Sequence, residues 1–335
     1  MSVVLLICVL LLILAAEFVN GWNDACNAIA TVVSTRVLSP MTAVLMAVLL
    51  NIAGAMSGTA VATTVGKDIL KPEAVSLVVV TASVFSVFVW GALASYGGLP
   101  ISITHALMGG LVGAGLATSG FHALLWAGWQ KILIGLVLST VFGFVGGYVL
   151  ILIILRIFHR FTPRQVRGVF GRLQILSAAF MAFSHGSNDG QKFIGVFTMT
   201  LFSTGVLQGV FHVPWWVILL CSVVMGLGTS IGGWRIIRTM GTKLVRMEPH
   251  HGFAAETGAA TIIEVASRLG IPLSTTHTIS TAIMGVGASR RFSAVRWGVA
   301  GEVVVAWLVT FPVCMAMSWI SAMVLNFLRV FLPAT

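Results

Sequence analysis

The sequence has little charge, and acidic residues are especially scarce. Only 8% of its 335 residues are charged, with nine Asp and Glu against nineteen Lys and Arg. A soluble domain carries about 25% charged residues, so this scarcity excludes an ordinary soluble protein. Hydrophobic residues make up 58% of the chain and form runs of about 20 residues, the length that crosses a bilayer as a helix. We therefore predict an all-α polytopic membrane protein.

Cysteine is also scarce, with four residues and no CxxC spacing. This pattern excludes a disulfide scaffold and a zinc ribbon. His185 lies four residues before Asp189 and could share a metal ion with it, but no third ligand is recognisable in the sequence. Neither a metal site nor a cofactor is therefore predicted.

The positive charges that are present lie mainly between the apolar runs. The segment 156–172, "RIFHRFTPRQVRGVFGR", contains five arginines. A short loop with this composition stays in the cytoplasm by the positive-inside rule. The net charge of +10 is thus interpreted as a signal for membrane topology, and the expected partner is the lipid bilayer rather than nucleic acid.

Two motifs occur twice, in the same order. The segments "GLPISITHALMGGLVGAG" and "GIPLSTTHTISTAIMGVGA" share six identities in the sixteen-residue window from Pro100 to Gly115, at an offset of 172 residues. The segments "EFVNGWNDACN" and "AFSHGSNDGQK" share four at an offset of 165. We interpret the chain as a duplication. The predicted units are a first repeat at 1–123, a linking span with the basic loop at 124–172, a second repeat at 173–293 and a C-terminal span at 294–335.

An Asn-Asp segment lies inside an apolar run in each half. The polar side chains of each copy share one helix face: Asn23, Asp24 and Asn27 in the first copy, and Asn188, Asp189 and Lys192 in the second. An unpaired ion at the bilayer centre costs about 2.5–3.5 kcal/mol, so these charged groups must pair, bind ions or face water. Neighbouring glycines permit an unwound turn whose carbonyls could coordinate Na⁺, and a carboxylate could equally carry a proton.

The Pro-x-Ser-x-Thr-His segments have the features of an anion site. Proline favours the first turn of a helix, and the N–H groups and dipole at a helix start favour an anion. Two such segments facing each other, as in re-entrant hairpins, would form a cradle for a tetrahedral oxyanion. Hydroxyl donors lie close to each start: Ser102, Thr104, Ser274, Thr275 and Thr276.

Two further pairs of polar residues have less specific roles. His105 and His277 follow the threonine of each Pro-x-Ser-x-Thr-His segment, and we expect them either to handle substrate or protons or to orient neighbouring groups. Glu256 and Glu264 are eight residues apart and share a helix face. They could line the transport pathway or a contact between subunits, and a homodimer is left open.

Together, these motifs resemble the inorganic phosphate transporter (PiT) family over nearly the whole chain, and its bacterial low-affinity branch in particular. The resemblance implies two inverted repeats, each with an interrupted Asn-Asp helix and a re-entrant Pro-x-Ser-x-Thr-His hairpin. It also implies a multi-pass plasma-membrane symporter that imports inorganic phosphate, coupled to H⁺ or Na⁺. This branch is further described as accepting metal–phosphate complexes.

The resemblance also implies roles for individual residues. Cation coupling would involve Asp24, Asn27 and Asp189. The residues matching the phosphate site are Asn23, Ser102, Thr104, Asn188, Gln191, Lys192, Ser274, Thr275 and Thr276.

One position departs from the family pattern. Sodium-coupled members carry Asn-Asp-x-x-Asn in both halves. In this chain the first half has the final Asn, Asn27, but the corresponding position of the second half is Lys192. A fixed ammonium beside Asp189 would supply the positive charge that a bound Na⁺ otherwise brings. We therefore predict fewer bound sodium ions than in the Asn/Asn type.

Three other functions were weighed. A sulfate permease of the same fold is the nearest, but sulfate carries no proton near neutral pH and the carboxylates beside both motifs favour phosphate. An intramembrane enzyme would need a nucleophile with a base or a metal triad, and no such spacing is recognisable. A passive channel does not need paired interrupted segments.

Overall fold

The computed structural model describes residues 3–331, which form fourteen α-helices. The helices of the first half are α1 Val3–Ser34, α2 Pro40–Ala55, α3 Ala60–Lys67, α4 Leu77–Gly97, α5 Ile103–Ser119, α6 Trp126–Val137 and α7 Gly143–Ile157. Those of the second half are α8 Pro163–His185, α9 Gln191–Ser203, α10 Trp215–Ile231, α11 Trp234–Arg238, α12 Pro249–Arg268, α13 Thr275–Arg290 and α14 Trp297–Phe331.

Several of these helices have the length and composition to cross a bilayer. Five continuous helical stretches pass on their own, namely α1, α4, α6 with α7, α8 with α9, and α14. The number rises to seven if each of two bent pairs counts as one span. The bent pairs are α2 with α3, at 67°, and α10 with the segment Trp234–Lys243, at 62°. Each bent pair follows one Asn-Asp helix, as expected for a duplicated chain. The prediction of an all-α polytopic membrane protein is confirmed.

The Asn-Asp helices differ from the interrupted helices that we expected. The first copy lies within α1, which continues without a break from Val3 to Ser34. In the second copy, Gly186–Gly190 form one π-helical turn between α8 and α9, so the helix is widened there but not unwound. A Cβ added at Gly21 would lie 2.1 Å from the carbonyl oxygen of Met225. This glycine therefore serves close packing of α1 on α10 rather than unwinding.

The second Asn-Asp segment makes the equivalent close helix crossing, with a helix of the first half. A Cβ at Gly186 would lie 2.1 Å from the carbonyl oxygen of Asn51, so the second Asn-Asp segment packs on α2 as tightly as α1 packs on α10. Each half thus contributes the bent pair that supports the Asn-Asp helix of the other half.

The Pro-x-Ser-x-Thr-His segments form the tips of two helical hairpins, α4–α5 and α12–α13, and the tips meet. Thr104 Oγ1 donates a hydrogen bond to the carbonyl of Leu273 at 3.0 Å, and the rings of His105 and His277 stack with centroids 4.7 Å apart. The open end of the first hairpin is joined by a hydrogen bond from Lys71 N to the carbonyl of Ala123. The hydrogen bond from Arg296 N to the carbonyl of Leu244 joins the open end of the second.

Each hairpin packs against one long helix. Helices α6 and α7 continue through a π-helical segment at Leu138–Phe142 and support α13, because a Cβ at Gly285 would lie 2.1 Å from the carbonyl oxygen of Phe144. Helix α14 supports α5 in the same way, with Gly113 against Met315 at 2.0 Å. The span predicted as a linker therefore has the same relation to one hairpin that the C-terminal span has to the other.

Two apolar cores lie on either side of the Asn-Asp segments. The first half of α1 contributes Val9 and Ile13 to one core, while its last turns contribute Ile29 and Val32 to the other. The polar stretch of α1 lies between them. The functional side chains are thus held at the junction of two packed regions.

Candidate functional site

The predicted site residues of the two Asn-Asp segments lie deep in the protein. Each is at most 2% exposed, so their polar groups depend on one another for hydrogen bonds. This buried set consists of Asn23, Asp24, Asn27, Asn188, Asp189, Gln191 and Lys192.

Lys192 is surrounded by oxygen atoms. Its Nζ donates to the carboxylate of Asp189, one turn earlier in the same helical segment. It also donates to Thr104 Oγ1 at 2.5 Å and to the carbonyl of Leu273 at 2.8 Å. The ammonium thereby joins the second Asn-Asp segment to the tips of both hairpins.

Asp189 has two further partners besides Lys192. Thr275 Oγ1 donates to its Oδ2 at 2.6 Å, and His185 Nε2 lies 3.3 Å from the same oxygen. His185 is oriented by Asn51, whose Oδ1 lies 3.0 Å from its Nδ1. Sequence reasoning missed Asn51, since a single Asn in an apolar helix carries no motif.

The first Asn-Asp segment contacts the opposite hairpin. Asn27 Nδ2 donates to Thr275 Oγ1 at 3.2 Å and to Thr276 Oγ1 at 3.0 Å. Thr276 Oγ1 in turn lies 3.3 Å from Asp24 Oδ1 and donates to it. Because Thr275 contacts both Asn27 and Asp189, its hydroxyl links the two copies of the motif.

Asn23 and Asn188 make equivalent hydrogen bonds in the two halves. Asn23 Nδ2 donates to Ser95 Oγ at 2.9 Å, and Asn188 Nδ2 donates to Ser267 Oγ at 3.0 Å. Ser95 and Ser267 are themselves 172 positions apart, the offset of the hairpin motif. The Oδ1 atom of each Asn is buried and accepts no hydrogen bond within residues 3–331, so both amide oxygens are available to a ligand.

Three other predicted residues have local partners. The hydroxyls of Ser102 and Ser274 accept from the N–H groups of His105 and His277 and so cap α5 and α13. Gln191 Oε1 accepts from the N–H of Val61 at 3.0 Å, at the start of α3. None of these side chains forms a hydrogen bond with the side chain of Lys192 or Asp189 within residues 3–331.

The two histidines stack away from the carboxylates. His105 Nδ1 lies 2.7 Å from Ser102 Oγ. The ring of His277 lies between those of His105 and Trp307, with its centroid 3.9 Å from that of Trp307. Neither ring contacts Asp24 or Asp189 in the described structure.

Two further carboxylates lie on α12, one of them buried and the other half-buried. Glu256 accepts hydrogen bonds from the hydroxyls of Thr31 and Ser177 and from Gln174 Nε2. Glu264, two turns further along α12, accepts from Ser187 Oγ at 2.6 Å, beside the π-helical turn. The spacing of the two glutamates predicted that they share a helix face. It did not predict that α1 and α8 would supply the hydrogen-bond donors to Glu256.

The structure also brings a third candidate metal ligand to His185 and Asp189. Ligand atoms of Asp24, His185 and Asp189 all lie within 4.8 Å of one another. The absence of a third ligand in the sequence was therefore misleading. Asp24 is remote in sequence and comes close only because α1 packs beside the second Asn-Asp segment.

Opposed hairpins that meet at a buried cluster of carboxylates, amides and one ammonium, within a bundle of membrane-spanning helices, define a membrane transporter. Comparison with known proteins gives the family. The model of the phosphate transporter family matches residues 20–318, and the chain belongs to this family.

Similar proteins cover nearly the whole chain. A probable low-affinity inorganic phosphate transporter of Rhizobium meliloti (strain 1021) is 48% identical over 88% of this chain and 89% of its own length. One of Bacillus subtilis (strain 168) is 40% identical over 97% and 99%. A solved structure described as the sodium-dependent phosphate transporter has a TM-score of 0.90 and 27% identity, covering 97% of this chain and 99% of that one.

These findings confirm the predicted family resemblance. The protein is a multi-pass protein of the plasma membrane, and it is a transporter rather than an enzyme because its family and relatives are transporters.

Proposed function

We propose that this protein is a symporter that imports inorganic phosphate with a coupling cation, and that Lys192 permanently occupies one of two equivalent cation positions. The observation that carries this proposal is the set of oxygens around Lys192 Nζ, from Asp189, Thr104 and Leu273. Carboxylate, hydroxyl and carbonyl oxygens are also ligands for hard cations. An ammonium in this position removes the need for a bound Na⁺ there.

The other cation position centres on Asp24. Its carboxylate accepts a hydrogen bond from the hydroxyl of Thr276 at 3.3 Å. The neighbouring residue, Asn23, has a buried Oδ1 that accepts no hydrogen bond within residues 3–331. Asp24 therefore carries the coupling cation in this proposal, either as a proton or as Na⁺. The similar solved structure is described as sodium-dependent, which supports Na⁺ as the coupling cation. The presence of Lys192 supports binding of fewer than two sodium ions.

The anion is proposed to bind where the hairpin tips meet the two Asn-Asp segments. Helices α5 and α13 both begin there, so their positive dipole ends are directed at the same region. The hydroxyls of Thr104, Thr275 and Thr276 and the ammonium of Lys192 can turn from their present partners to phosphate oxygens. Asp24 offers an acceptor for the proton of HPO₄²⁻ or H₂PO₄⁻, which sulfate lacks.

The test is uptake of labelled phosphate into proteoliposomes with separately imposed Na⁺ and H⁺ gradients and sulfate as competitor. We expect one of the two gradients to drive phosphate accumulation, and we expect excess sulfate to leave it nearly unchanged. Accumulation of sulfate in place of phosphate, or phosphate entry that follows neither gradient, would refute the proposal.

The cluster of Asp24, His185 and Asp189 supports a second form of the substrate, a complex of phosphate with a divalent metal. Two carboxylates and an imidazole within 4.8 Å can hold the metal as cargo while the hairpin tips hold the phosphate. The opposing feature is Lys192, whose charge next to Asp189 weakens cation binding. Mutual dependence of metal and phosphate uptake decides between the two forms.

The proposal includes an inverted arrangement of the repeats. The two hairpins meet at their tips, and their open ends, joined at Lys71–Ala123 and Leu244–Arg296, face away from each other. One hairpin then enters from each side of the membrane. Because α6–α7 and α14 support opposite hairpins equivalently, we assign α6–α7 to the first repeat and shift its predicted end from residue 123 to 157.

A further inference from the structure

An arginine-lined cavity lies at the end of α13 that is remote from the hairpin tip. Its volume is about 510 Å³, and it is formed between the segment before α12, the C-terminal end of α13 and the start of α14. The polar residues that line it are Arg246, His251, Arg290, Arg291, Ser293 and Arg296.

The four guanidinium groups have no acidic partner within residues 3–331. None forms a salt bridge in the part of the chain that the structure describes, and the guanidinium of Arg296 donates to the carbonyl of Lys243, at 3.4 Å. The nearby Glu248 is directed to His250, at 3.9 Å. Four positive charges that line one cavity repel one another, so an anion in the cavity would stabilise this arrangement.

The corresponding surface of the first repeat lacks this charge. The hydrogen bonds Lys71–Ala123 and Arg296–Leu244 join equivalent backbone positions, 173 residues apart. By the same offset Glu73 corresponds to Arg246, and by the hairpin offset of 172 Thr118 and Ser119 correspond to Arg290 and Arg291. Both repeats therefore have this backbone arrangement, whereas only the second repeat has the arginines.

The cavity opens on the face that carries the basic loop 156–172. Phe170, in the part of this segment that forms the start of α8, packs on Phe253 and His250 at the start of α12, with ring centroids 5.4 and 6.2 Å apart. This is the predicted cytoplasmic face. The positive-inside rule explains why arginines occur on this side, but not why four from three segments line one cavity.

We propose that this cavity is a binding site for an anion with two linked phosphate groups. Arginine pairs bidentately with phosphate oxygens, and four arginines provide more charge than one inorganic phosphate neutralises. A soluble diphosphate and the headgroup of cardiolipin share this chemistry. The site is separate from the proposed transport site, because α13 has sixteen residues and its ends are thus about 24 Å apart.

The test compares two double variants with equal loss of charge on the same face. Arg290→Gln/Arg291→Gln removes two cavity residues, while Arg160→Gln/Arg164→Gln removes two exposed arginines of the basic loop. Pyrophosphate binding to the purified full chain is measured by calorimetry. We expect the first variant to weaken binding about tenfold or more, because it loses charge-assisted hydrogen bonds, and the second to weaken it about twofold or less.

The source of the anion is distinguished by the lipid retained on purification. If the wild-type protein ignores pyrophosphate but retains cardiolipin that Arg290→Gln/Arg291→Gln loses, the lipid headgroup is the ligand. If neither probe binds, or both double variants lose binding equally, the arginines serve topology alone and the proposal is wrong. Phosphate uptake by each variant verifies folding, and Arg246→Gln replaces the first variant if it does not fold.

Discussion

Lys192 and Thr104 belong to different copies of the duplicated motifs, and a hydrogen bond of 2.5 Å joins them. The reciprocal contact runs from Asn27, in the first Asn-Asp helix, to Thr275 and Thr276 of the second hairpin. Each Asn-Asp segment thus contacts the hairpin of the other repeat. The two contacts differ in charge, because one is made by an ammonium and the other by an amide.

Replacing Lys192 with Asn should make phosphate uptake depend on sodium, or depend on it more strongly. The variant leaves Asp189 without its ammonium partner, and a buried carboxylate without a cation is unfavourable. Na⁺ is the cation that an Asn/Asp pair of this kind would recruit. Uptake is measured in proteoliposomes with and without a Na⁺ gradient.

The control for this variant is Lys71→Asn, which removes an exposed lysine between α3 and α4. It should leave the ion dependence of uptake unchanged. Sodium-independent uptake by Lys192→Asn at the wild-type rate would show that Lys192 does not stand in for a coupling ion.

Removing the Thr275 hydroxyl should impair transport without unfolding the protein. This hydroxyl accepts from Asn27 and donates to Asp189, and hydrogen bonds to charged groups contribute about 1.5–3 kcal/mol. We expect Thr275→Ala to reduce uptake by about tenfold or more and Thr275→Ser to retain most of it. Thr278→Ala is the matched control, since Thr278 Oγ1 donates only to the carbonyl of Ser274 in its own helix.

Substituting His185 should affect metal–phosphate uptake more than uptake of phosphate alone. His185 supplies the imidazole of the cluster with Asp24 and Asp189. In His185→Gln we expect the stimulation of phosphate uptake by Zn²⁺ or Mg²⁺ to fall, compared with His159→Gln on the basic loop. Equal stimulation in both variants would show that His185 does not hold the metal.

Alanine at Gly186 should lower the thermal unfolding midpoint. The added Cβ would lie 2.1 Å from the carbonyl oxygen of Asn51, so α2 must move away, at about 1–3 kcal/mol for such overpacking. At Gly171, in α8, nothing lies within 4 Å of an added Cβ, and Ala should stabilise the helix by about 0.5–1 kcal/mol. Midpoints in detergent that shift equally for both variants would contradict a close crossing at Gly186.

Much of the site could be anticipated because a buried charge in an apolar helix is conspicuous. Asp24, Asp189 and Lys192 stand out in a chain with so few charges, and the repeated motifs show that they belong together. Asn51 could not be assigned, because its contact with His185 depends on α2 packing against the second Asn-Asp segment. Likewise, glycines next to the motifs looked like points of unwinding, whereas close helix crossings use them.

The sequence by itself determined the membrane environment, the duplication and the family, since composition and repeated motifs are properties of the linear chain. Only the tertiary structure decided which groups meet. Thr104 and Lys192 are 88 positions apart, and Asn27 and Thr276 are 249, so their hydrogen bonds arise from opposed hairpins that enter between two Asn-Asp helices. The sequence shows that Asn27 in one copy corresponds to Lys192 in the other. That this difference places an ammonium among three oxygens follows only from the packing.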